Sequence, residues 1–477
     1  MSLPSTRSLP DGRIDQSHHR AVIGCSVLVV LSVIVALLPI PTGPTLMILV
    51  GLAGIPLVVL YLGSGDVFSP AAFVGLAYLM GWFGPVVDFV ATGDTTDVLL
   101  GQGLEYLVSP LVLAVAGIGC LAVGMCWTPA DRIVARIPTF RREWDDDRAN
   151  RVVALCTTIG VGSLFLLFWT TGGVPTALSE LSAKRRPPTE YIAWGTKLLF
   201  VAALVDLGTV VRRTDRSRNR VAVTGALVAI ACIPPFYRSI RSSLLLFLIS
   251  LVVVYHYTER RVKLAHLLAL VPLGVVTINV MGSLRKASWM GASALDPSTT
   301  LRPGAIGDFF GARRTGVTVH AHLFHVVPDR IGFQYGTTLL SWVTRPIPRQ
   351  LWPGKPRDIG QVLGERIFHQ GVGTVGGGTP PPVPAELYLN FWIPGVLVGM
   401  FLFGACIRIG YNYCEPGSGG LPRTLIYSIF ATTFVFGILY GNVSQLVTNL
   451  LQLALPLLLA LGFISGDWTA IGDDLGR

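Results

Sequence analysis

The chain has 477 residues, of which 51% are apolar and only 13% are charged, and its net charge is +10. With a mean hydropathy of +0.60, this composition excludes an ordinary water-soluble domain. The sequence therefore indicates a polytopic membrane protein.

Twelve segments approach or exceed the length of about 20 apolar residues that a helix needs to cross a bilayer. They are 21–40, 44–63, 69–90, 106–127, 151–171, 191–211, 221–236, 242–257, 264–281, 385–407, 422–440 and 443–463. The first is too long for a signal peptide and lacks a small-residue cleavage site, so we expect a retained anchor. The predicted fold is an all-α polytopic membrane protein with about 12 transmembrane helices and one long extracytoplasmic loop carrying short helices.

Basic residues mark one side of these spans. They accumulate before the first span and in the connectors 132–151, 212–220 and 259–263, which all fall on the same side, as cytoplasmic loops do. We expect a single domain in the cytoplasmic (inner) membrane with both termini cytoplasmic. Its predicted parts are a tail at 1–20, nine spans over 21–281, an extracytoplasmic catalytic loop at 282–384, three spans over 385–463 and a tail at 464–477.

Polar residues in the spans and short connectors have structural interpretations. Asp88, Lys197 and Asp206 lie within predicted spans, where ionisable groups are costly, and pairing inside the bundle or proximity to an interface is expected to explain them. A proton relay is the alternative, and it would support a transporter. The acidic run 145–147 lies in a short connector and is interpreted as a solvated charge run. All seven cysteines fall in or beside spans, so neither a disulfide framework nor a thiolate metal site is expected.

Two arginines, Arg238 and Arg241, stand at the predicted outer mouth of the seventh and eighth spans. Three residues apart on a helix, they would share one face near the membrane. Arginine binds phosphate through paired N–H donors, so the pair suits a lipid diphosphate in the outer leaflet. Anchoring of ordinary lipid headgroups explains the pair equally well, and both interpretations stay open.

The first half of the long loop contains a helix-like stretch with His320, His322 and His325. Their spacing does not place all three on one helix face, and no H-E-x-x-H motif is present, so no metal site is expected. One histidine acting as a base or phosphate donor remains an alternative to a purely structural role.

The stretch 341–390 is rich in arginine, proline and glycine. Four prolines between positions 346 and 356 stiffen the backbone around Arg345, Arg349 and Lys355, which suits a fixed anion.

Aromatic residues of the same stretch indicate where it lies. Trp342, Trp352 and Tyr388 belong to the residue types that favour the membrane–water interface, so we expect the stretch to rest against the membrane.

The end of the loop leads from glycine into the tenth span. The run 371–382, GVGTVGGGTPPP, follows no strand and precedes no capped helix, so we interpret it as a mobile lid and extended segment. Glu386 and Asn390 then open the span. Glu386 could activate an acceptor as a base, or it could position an arginine through a salt bridge.

The chain resembles the oligosaccharide repeat-unit polymerases, the Wzy-type O-antigen and exopolysaccharide polymerases of the polytopic GT-C superfamily. Four features carry the resemblance: RSIRSS at 238–243, IPRQLWPGKP at 347–356, GVGTVGGGTPPP at 371–382 and ELYLNF at 386–391. It covers the second half of the chain well and the first half only through the number of spans. In that family glycine usually follows the last element directly, whereas here Trp392, Ile393 and Pro394 precede Gly395.

This resemblance implies a GT-C-like fold and a membrane glycosyltransferase of cell-envelope polysaccharide synthesis. The enzyme would polymerise polyprenyl-diphosphate-linked repeat units at the outer face of the cytoplasmic membrane, without a nucleotide sugar, a metal or another cofactor. The residues expected to bind the diphosphate are Arg238, Arg241, Arg285, Arg345, Arg349 and Lys355. The candidate catalytic bases are Glu386, His322 and His325, and the candidate acceptor or glycan contacts are Tyr388, Asn390 and Trp352. The implied partners are lipid-linked glycans, membrane lipids, a flippase and a chain-length regulator, with no nucleic acid.

Two alternative functions remain. A glycan ligase of the same superfamily would use the same site with a different acceptor. A lipid-linked glycan flippase or ion-coupled transporter would be expected to show paired, interrupted helices around midplane charges, which the sequence does not display.

Overall fold

The structure is a computed structural model of the chain. It describes residues 11–93, 99, 101–138, 143–173, 189–213, 217–238, 240–290, 315–347, 351–355, 359–366 and 380–465. Throughout these ranges the regular secondary structure is helical.

The helices are connected mostly by short turns. In chain order they are α1 (Asp11–Leu37), α2 (Thr42–Ser64), α3 (Pro70–Tyr78), α4 (Gly84–Thr92), α5 (Val108–Met125), α6 (Ala130–Val134), α7 (Asp146–Thr170), α8 (Thr189–Thr196), α9 (Leu198–Arg212), α10 (Arg218–Tyr237), α11 (Arg241–Thr258), α12 (Leu264–Met290), α13 (Thr315–Val326), α14 (Ser341–Thr344), α15 (Ile359–Arg366), α16 (Val383–Cys414), α17 (Gly420–Ile429) and α18 (Val443–Ser465). A π turn at Leu79–Phe83 joins α3 to α4, and a 3₁₀ turn at Leu104–Leu107 precedes α5. A π turn at Phe430–Val435 and a 3₁₀ turn at Phe436–Leu439 continue α17.

Eleven helical segments of the described chain are long and apolar enough to cross a membrane. They are His19–Leu37, Thr42–Ser64, Pro70–Thr92, Leu104–Met125, Asp146–Thr170, Tyr191–Arg212, Arg218–Tyr237, Arg241–Thr258, Val383–Cys414, Gly420–Leu439 and Val443–Ser465. The predicted all-α polytopic fold is therefore confirmed, and eleven of the predicted spans have their counterparts. The remaining predicted span, 264–281, falls within α12, whose apolar stretch Leu264–Gly274 is shorter.

The centre of the bundle is the close contact between α5 and α16. A Cβ added to Gly124 would lie 2.2 Å from the carbonyl oxygen of Phe401, and one added to Gly404 would lie 2.1 Å from that of Leu121. Neither distance is compatible with a side chain, because backbone atoms cannot move aside as a flexible side chain can. The two glycines thus allow the helix backbones to touch.

A second core, formed mainly by α7, α9, α10, α17 and α18, is held by a buried ion pair. Asp206 is 1% exposed and lies 2.7 Å from Nη2 of Arg220, while the hydroxyl of Thr224 donates to its second oxygen at 2.6 Å. Lys197 donates to Asn449 at 3.3 Å across the bundle. The predicted pairing inside the bundle is confirmed for Asp206 and Lys197.

The acidic connector also has structural partners. Asp145 accepts hydrogen bonds from the backbone N–H groups of Asp147 and Arg148, each at 3.0 Å, and so caps the start of α7. Asp146 pairs with Arg213 at 2.8 Å. These carboxylates stabilise a helix N-terminus and a connector, which the interpretation of the run as solvated charge did not include.

The two ends of the bundle can be told apart by their contacts. Glu386, near the start of α16, bonds to Val443 at the start of α18, and His325 of α13 bonds to Tyr106 just before α5. The starts of these spans therefore lie at one end together with α13. We call this end the loop face, because the connection between α12 and α16 lies there.

The opposite face carries a polar cluster around Asp66. Its carboxylate accepts hydrogen bonds from Tyr257 at 2.6 Å and from the backbone of Phe68 at 2.9 Å, and it lies 3.3 Å from Nε2 of His256. Burial raises the pKa of Asp66, but the hydrogen bonds from His256 and Tyr257 outweigh burial and leave that pKa below its usual value. The cluster ties the connector between α2 and α3 to the end of α11.

Candidate functional site

The helix α13 lies against the start of α5 through its three histidines. Nε2 of His320 donates to the carbonyl of Pro110 at 3.1 Å, and Nε2 of His325 donates to that of Tyr106 at 3.0 Å. These protons are assigned to Nε2 because a carbonyl oxygen can only accept. Nδ1 of His322 lies 3.2 Å from the Tyr106 hydroxyl. All three histidines thus dock the helix, and the proposed role of His322 and His325 as a base stays a prediction.

The environment of His320 keeps its imidazole neutral. The side chain is 1% exposed and meets the ring of Trp82 edge to face at 5.1 Å. Burial lowers the pKa of His320 to about 4, and the hydrogen bond to the carbonyl of Pro110 opposes this only in part. At neutral pH, α13 is therefore docked by an uncharged histidine.

The first two turns of α16, residues 383–390, are buried on all sides. Here Oε2 of Glu386 accepts a hydrogen bond from the backbone N–H of Val443 at 2.7 Å, and Asn442 caps the same helix start by accepting from Gln445 at 2.7 Å. A carboxylate is favourable at this position because a helix N-terminus is electropositive. The observed partner of Glu386 is thus the start of α18. Its predicted roles as a base or as an arginine partner remain untested.

A kink follows directly after these turns. Phe391 and Trp392 leave the helical conformation, and Trp392 has a φ of 57°, which is rare for a residue with a side chain. Pro394 lacks the N–H for the helical bond, and a Cβ on Gly395 would lie 2.8 Å from the carbonyl oxygen of Leu387. The residues between the ELYLNF element and Gly395 therefore contribute to the bend.

Asn390 makes three hydrogen bonds, two of which connect α16 to the preceding loop. Its amide nitrogen donates to the Thr338 hydroxyl and to the carbonyl of Glu386, and its amide oxygen accepts from the backbone N–H of Gly336. Each bond is 2.7 Å long, and Asn390 is fully buried. In this conformation Asn390 is a clamp on the loop, and its predicted contact with glycan is untested.

The other two predicted glycan contacts differ in exposure. Tyr388 is buried, stacks on Phe324 and donates its hydroxyl proton to the Phe324 carbonyl at 3.2 Å. Its ring is therefore packed inside the protein, and both its predicted contact with glycan and the expected position at the membrane–water interface stay predictions. Trp352 is 41% exposed, and its ring is open to a ligand or to lipid.

The two arginines of the α10–α11 turn do not share a helix. Arg238 follows the last residue of α10, near Pro234 and Pro235, and Arg241 begins α11. Ile240 between them is not helical, with φ −96° and ψ 81°. The expectation of one common helix face is wrong, because the chain turns between the two residues.

Arg241 lines a cleft between α3, α11 and the end of α17. The cavity volume of this open cleft is about 30 Å³, and its walls are almost wholly apolar. Its other lining residues are Leu76, Met80, Ser242, Leu245, Leu246, Ile249, Phe436 and Tyr440. Because Arg241 is the first residue of α11, it lies at the loop-face end, and the apolar wall extends two helical turns further to Ile249.

Irregular helix segments form two walls of this cleft. Met80 lies in the π turn between α3 and α4, and Phe436 follows the π turn after α17. Nε1 of Trp82 donates to the carbonyl of Leu439 at 3.2 Å, and a Cβ on Gly81 would lie 3.2 Å from the same oxygen. Such π turns occur frequently at functional sites, since they reorient side chains within a helix.

The cleft adjoins the Glu386 region through a short turn. Tyr440 lines the cleft, and Val443, three residues later, donates to Glu386. Three residues span at most about 11 Å of backbone. The turn from Tyr440 to Val443 therefore lines the cleft at one end and contacts Glu386 at the other.

Of the cations predicted to bind the diphosphate in the long loop, Lys355 has backbone partners in the structure. Nζ of Lys355 donates to the carbonyls of Arg345 and Ile347 at 3.1 and 3.0 Å, so it fastens its own loop. Arg349 and the side chain of Arg285, which belongs to α12, lie outside the described residues.

Several residues of this region were missed from sequence. Tyr106, Trp82 and Thr338 hold α13, the cleft and the loop, yet each bonds to a residue far along the chain. Asn442 carried a readable signal, because a Gly-Asn pair interrupts two apolar segments. Among the described residues, no group of three or more His, Cys, Asp or Glu side chains is placed to hold a metal ion.

Comparison with known proteins finds no matching family model, no matching curated protein and no matching solved structure. The function is therefore inferred from the motifs of the chain and from the geometry of the loop face.

Proposed function

We propose that this protein polymerises polyprenyl-diphosphate-linked oligosaccharide repeat units, with the loop face on the outer side of the cytoplasmic membrane. The observation that carries the proposal is the apolar cleft with Arg241 at its loop-face end. A lipid diphosphate has the matching form, because it joins a hydrocarbon chain to a doubly anionic head.

The surroundings of the cleft support this proposal. Arg238 stands at the same turn as Arg241, so this turn carries a second guanidinium. Glu386 adjoins the cleft across the turn from Tyr440 to Val443. Cations for a departing diphosphate and a carboxylate thus occur at one end of the bundle.

The proposed reaction is a glycosyl transfer. A hydroxyl oxygen at the non-reducing end of one lipid-linked unit bonds to the anomeric carbon of the donor glycan. The bond between that carbon and the diphosphate oxygen breaks, the hydroxyl proton passes to a base, and polyprenyl diphosphate leaves. Arginines preorganised at the diphosphate stabilise the developing charge, and loss of one such donor typically slows a reaction roughly 100-fold.

Complementation tests the proposal. Wild type, Arg241→Gln and Arg241→Lys are expressed in a strain lacking its own copy, and the lipid-linked glycans are separated on a gel. Arg330→Gln is the matched control, because Arg330 is an exposed arginine of the loop region that does not line the cleft. We expect a ladder with wild type and Arg330→Gln, single repeat units with Arg241→Gln, and a shortened ladder with Arg241→Lys, which keeps charge but loses paired donation.

Two outcomes would overturn the proposal. One is a full ladder from Arg241→Gln at normal protein levels. The other is a full ladder in the strain without the protein, combined with failed attachment or export of the glycan, which would favour the ligase or the transporter.

A further inference from the structure

The described stretches 335–347 and 351–352 on the loop face expose large apolar side chains although neither is a candidate membrane span. Tyr335 is 76% exposed, Leu340 62%, Val343 54% and Leu351 79%, and Ile347 and Trp352 are also exposed. We call these six residues the loop-face apolar patch. Scattered exposed apolar residues are ordinary, whereas six within one short segment indicate a surface that is covered.

Polar groups within the patch are turned onto its own backbone. The hydroxyl of Ser341 donates to Thr338 at 2.7 Å, and that of Thr344 donates to Ser341 at 2.9 Å. The ammonium of Lys355 donates to the carbonyls of Arg345 and Ile347. These carbonyls accept hydrogen bonds from side chains and therefore do not need water as a donor. Backbone that lies against lipid must meet this requirement.

The patch continues the lipid-facing surface of the spans. Its short helix α14 packs on α18, and a Cβ on Gly336 would lie 3.4 Å from the ring of Phe391. Phe391 and Trp392 are themselves about half exposed at the kink of α16. On α18, Leu451, Leu455 and Leu459 are exposed four residues apart, which forms a stripe facing the bilayer.

We propose that the loop-face apolar patch inserts into the boundary between the headgroups and acyl chains of the adjoining leaflet. Apolar and aromatic residues flanked by cations are the composition of elements that lie in this plane. Arg345 and Lys355 border the patch and are thereby held at the depth of lipid phosphates, where anionic headgroups are bound. This placement does not require glycosyl transfer, so it can fail or hold independently of the proposed function.

Depth measurements test this proposal on the full chain. Single cysteines are introduced at Leu351 and Val343 after replacement of the native cysteines, labelled with a fluorophore and reconstituted at one protein per nanodisc of phosphatidylcholine and phosphatidylglycerol. Asp329→Cys is the matched control, because Asp329 is exposed on the same loop outside the patch. We expect acyl-chain nitroxides to quench the labels at 351 and 343 several-fold more than the label at 329, and aqueous iodide to show the reverse order.

A second variant tests whether the depth depends on the protein's own side chains or on the attached fluorophore. Adding Leu351→Asp should increase iodide quenching of the label at 343 while the protein stays folded. Equal iodide quenching at 351 and 329 would overturn the proposal. Protection of 351 that appears only with two proteins per nanodisc would also overturn it, since a second copy would then cover the patch.

Discussion

Asn390 provides the sharpest test of how the loop face is held together. Replacing it with leucine keeps the volume but removes its amide, so the backbone N–H of Gly336 and the hydroxyl of Thr338 lose their buried partner. A buried polar group left unsatisfied costs about 1–3 kcal/mol. Two such groups cost roughly 2–6 kcal/mol, and since Thr338 can rotate its hydroxyl, about 3 kcal/mol is expected. The loop should then open roughly 100-fold more often.

Hydrogen–deuterium exchange of the peptide covering 331–347 measures this opening. We expect about 100-fold faster exchange in Asn390→Leu than in wild type. Asn412→Leu is the control, because Asn412 bonds to Asp131 in an exposed pair away from the loop. Exchange within twofold of wild type in Asn390→Leu would refute the reasoning that this amide clamps the loop to α16.

Three further predictions concern the bundle. The pKa of His320 is about 4 in the folded protein, against an ordinary value near 6.5. The neutral histidine therefore stabilises the fold fully above pH 6.5, and the free energy of unfolding falls by up to about 3 kcal/mol as the pH drops toward 4. Thermal unfolding at a series of pH values should show this loss, and His320→Gln should make the melting temperature depend less on pH. Gly404→Leu should separate α5 from α16 and abolish a stable fold, as judged by gel filtration, whereas normal elution would contradict the contact. Arg220→Met should lower the free energy of unfolding by about 3–5 kcal/mol, because it removes the partner of the buried Asp206 carboxylate. Adding Asp206→Leu to the same chain should restore much of this stability. If chemical denaturation shows that the losses of the two single variants simply add, the ion pair does not stabilise the fold as described.

The spans could be predicted because hydropathy and length are local properties of the chain. Their boundaries were less exact for a physical reason. Hydropathy predicts that the tenth span ends at 407, before the polar Arg408 and Asn412, yet α16 continues through both residues to Cys414.

The site was predicted in composition but not in geometry. Glu386 was recognised as unusual, yet its partner Val443 lies 57 residues away and contributes only a backbone N–H, which has no sequence signature. The three histidines were not expected to share a helix face, but all of them contact the segment 106–110, because Tyr106 offers both its hydroxyl and its carbonyl. The cleft depends on two π turns that apolar periodicity cannot reveal.

Reconstitution of the purified protein tests the proposed glycosyl transfer most directly. Liposomes carrying the protein and a polyprenyl-diphosphate oligosaccharide of defined length would be assayed for longer glycans and for free polyprenyl diphosphate. We expect a ladder of lengthened glycans with one polyprenyl diphosphate released for each bond formed, without added nucleotide sugar. Movement of intact lipid-linked glycan across the bilayer, with no diphosphate released, would contradict it.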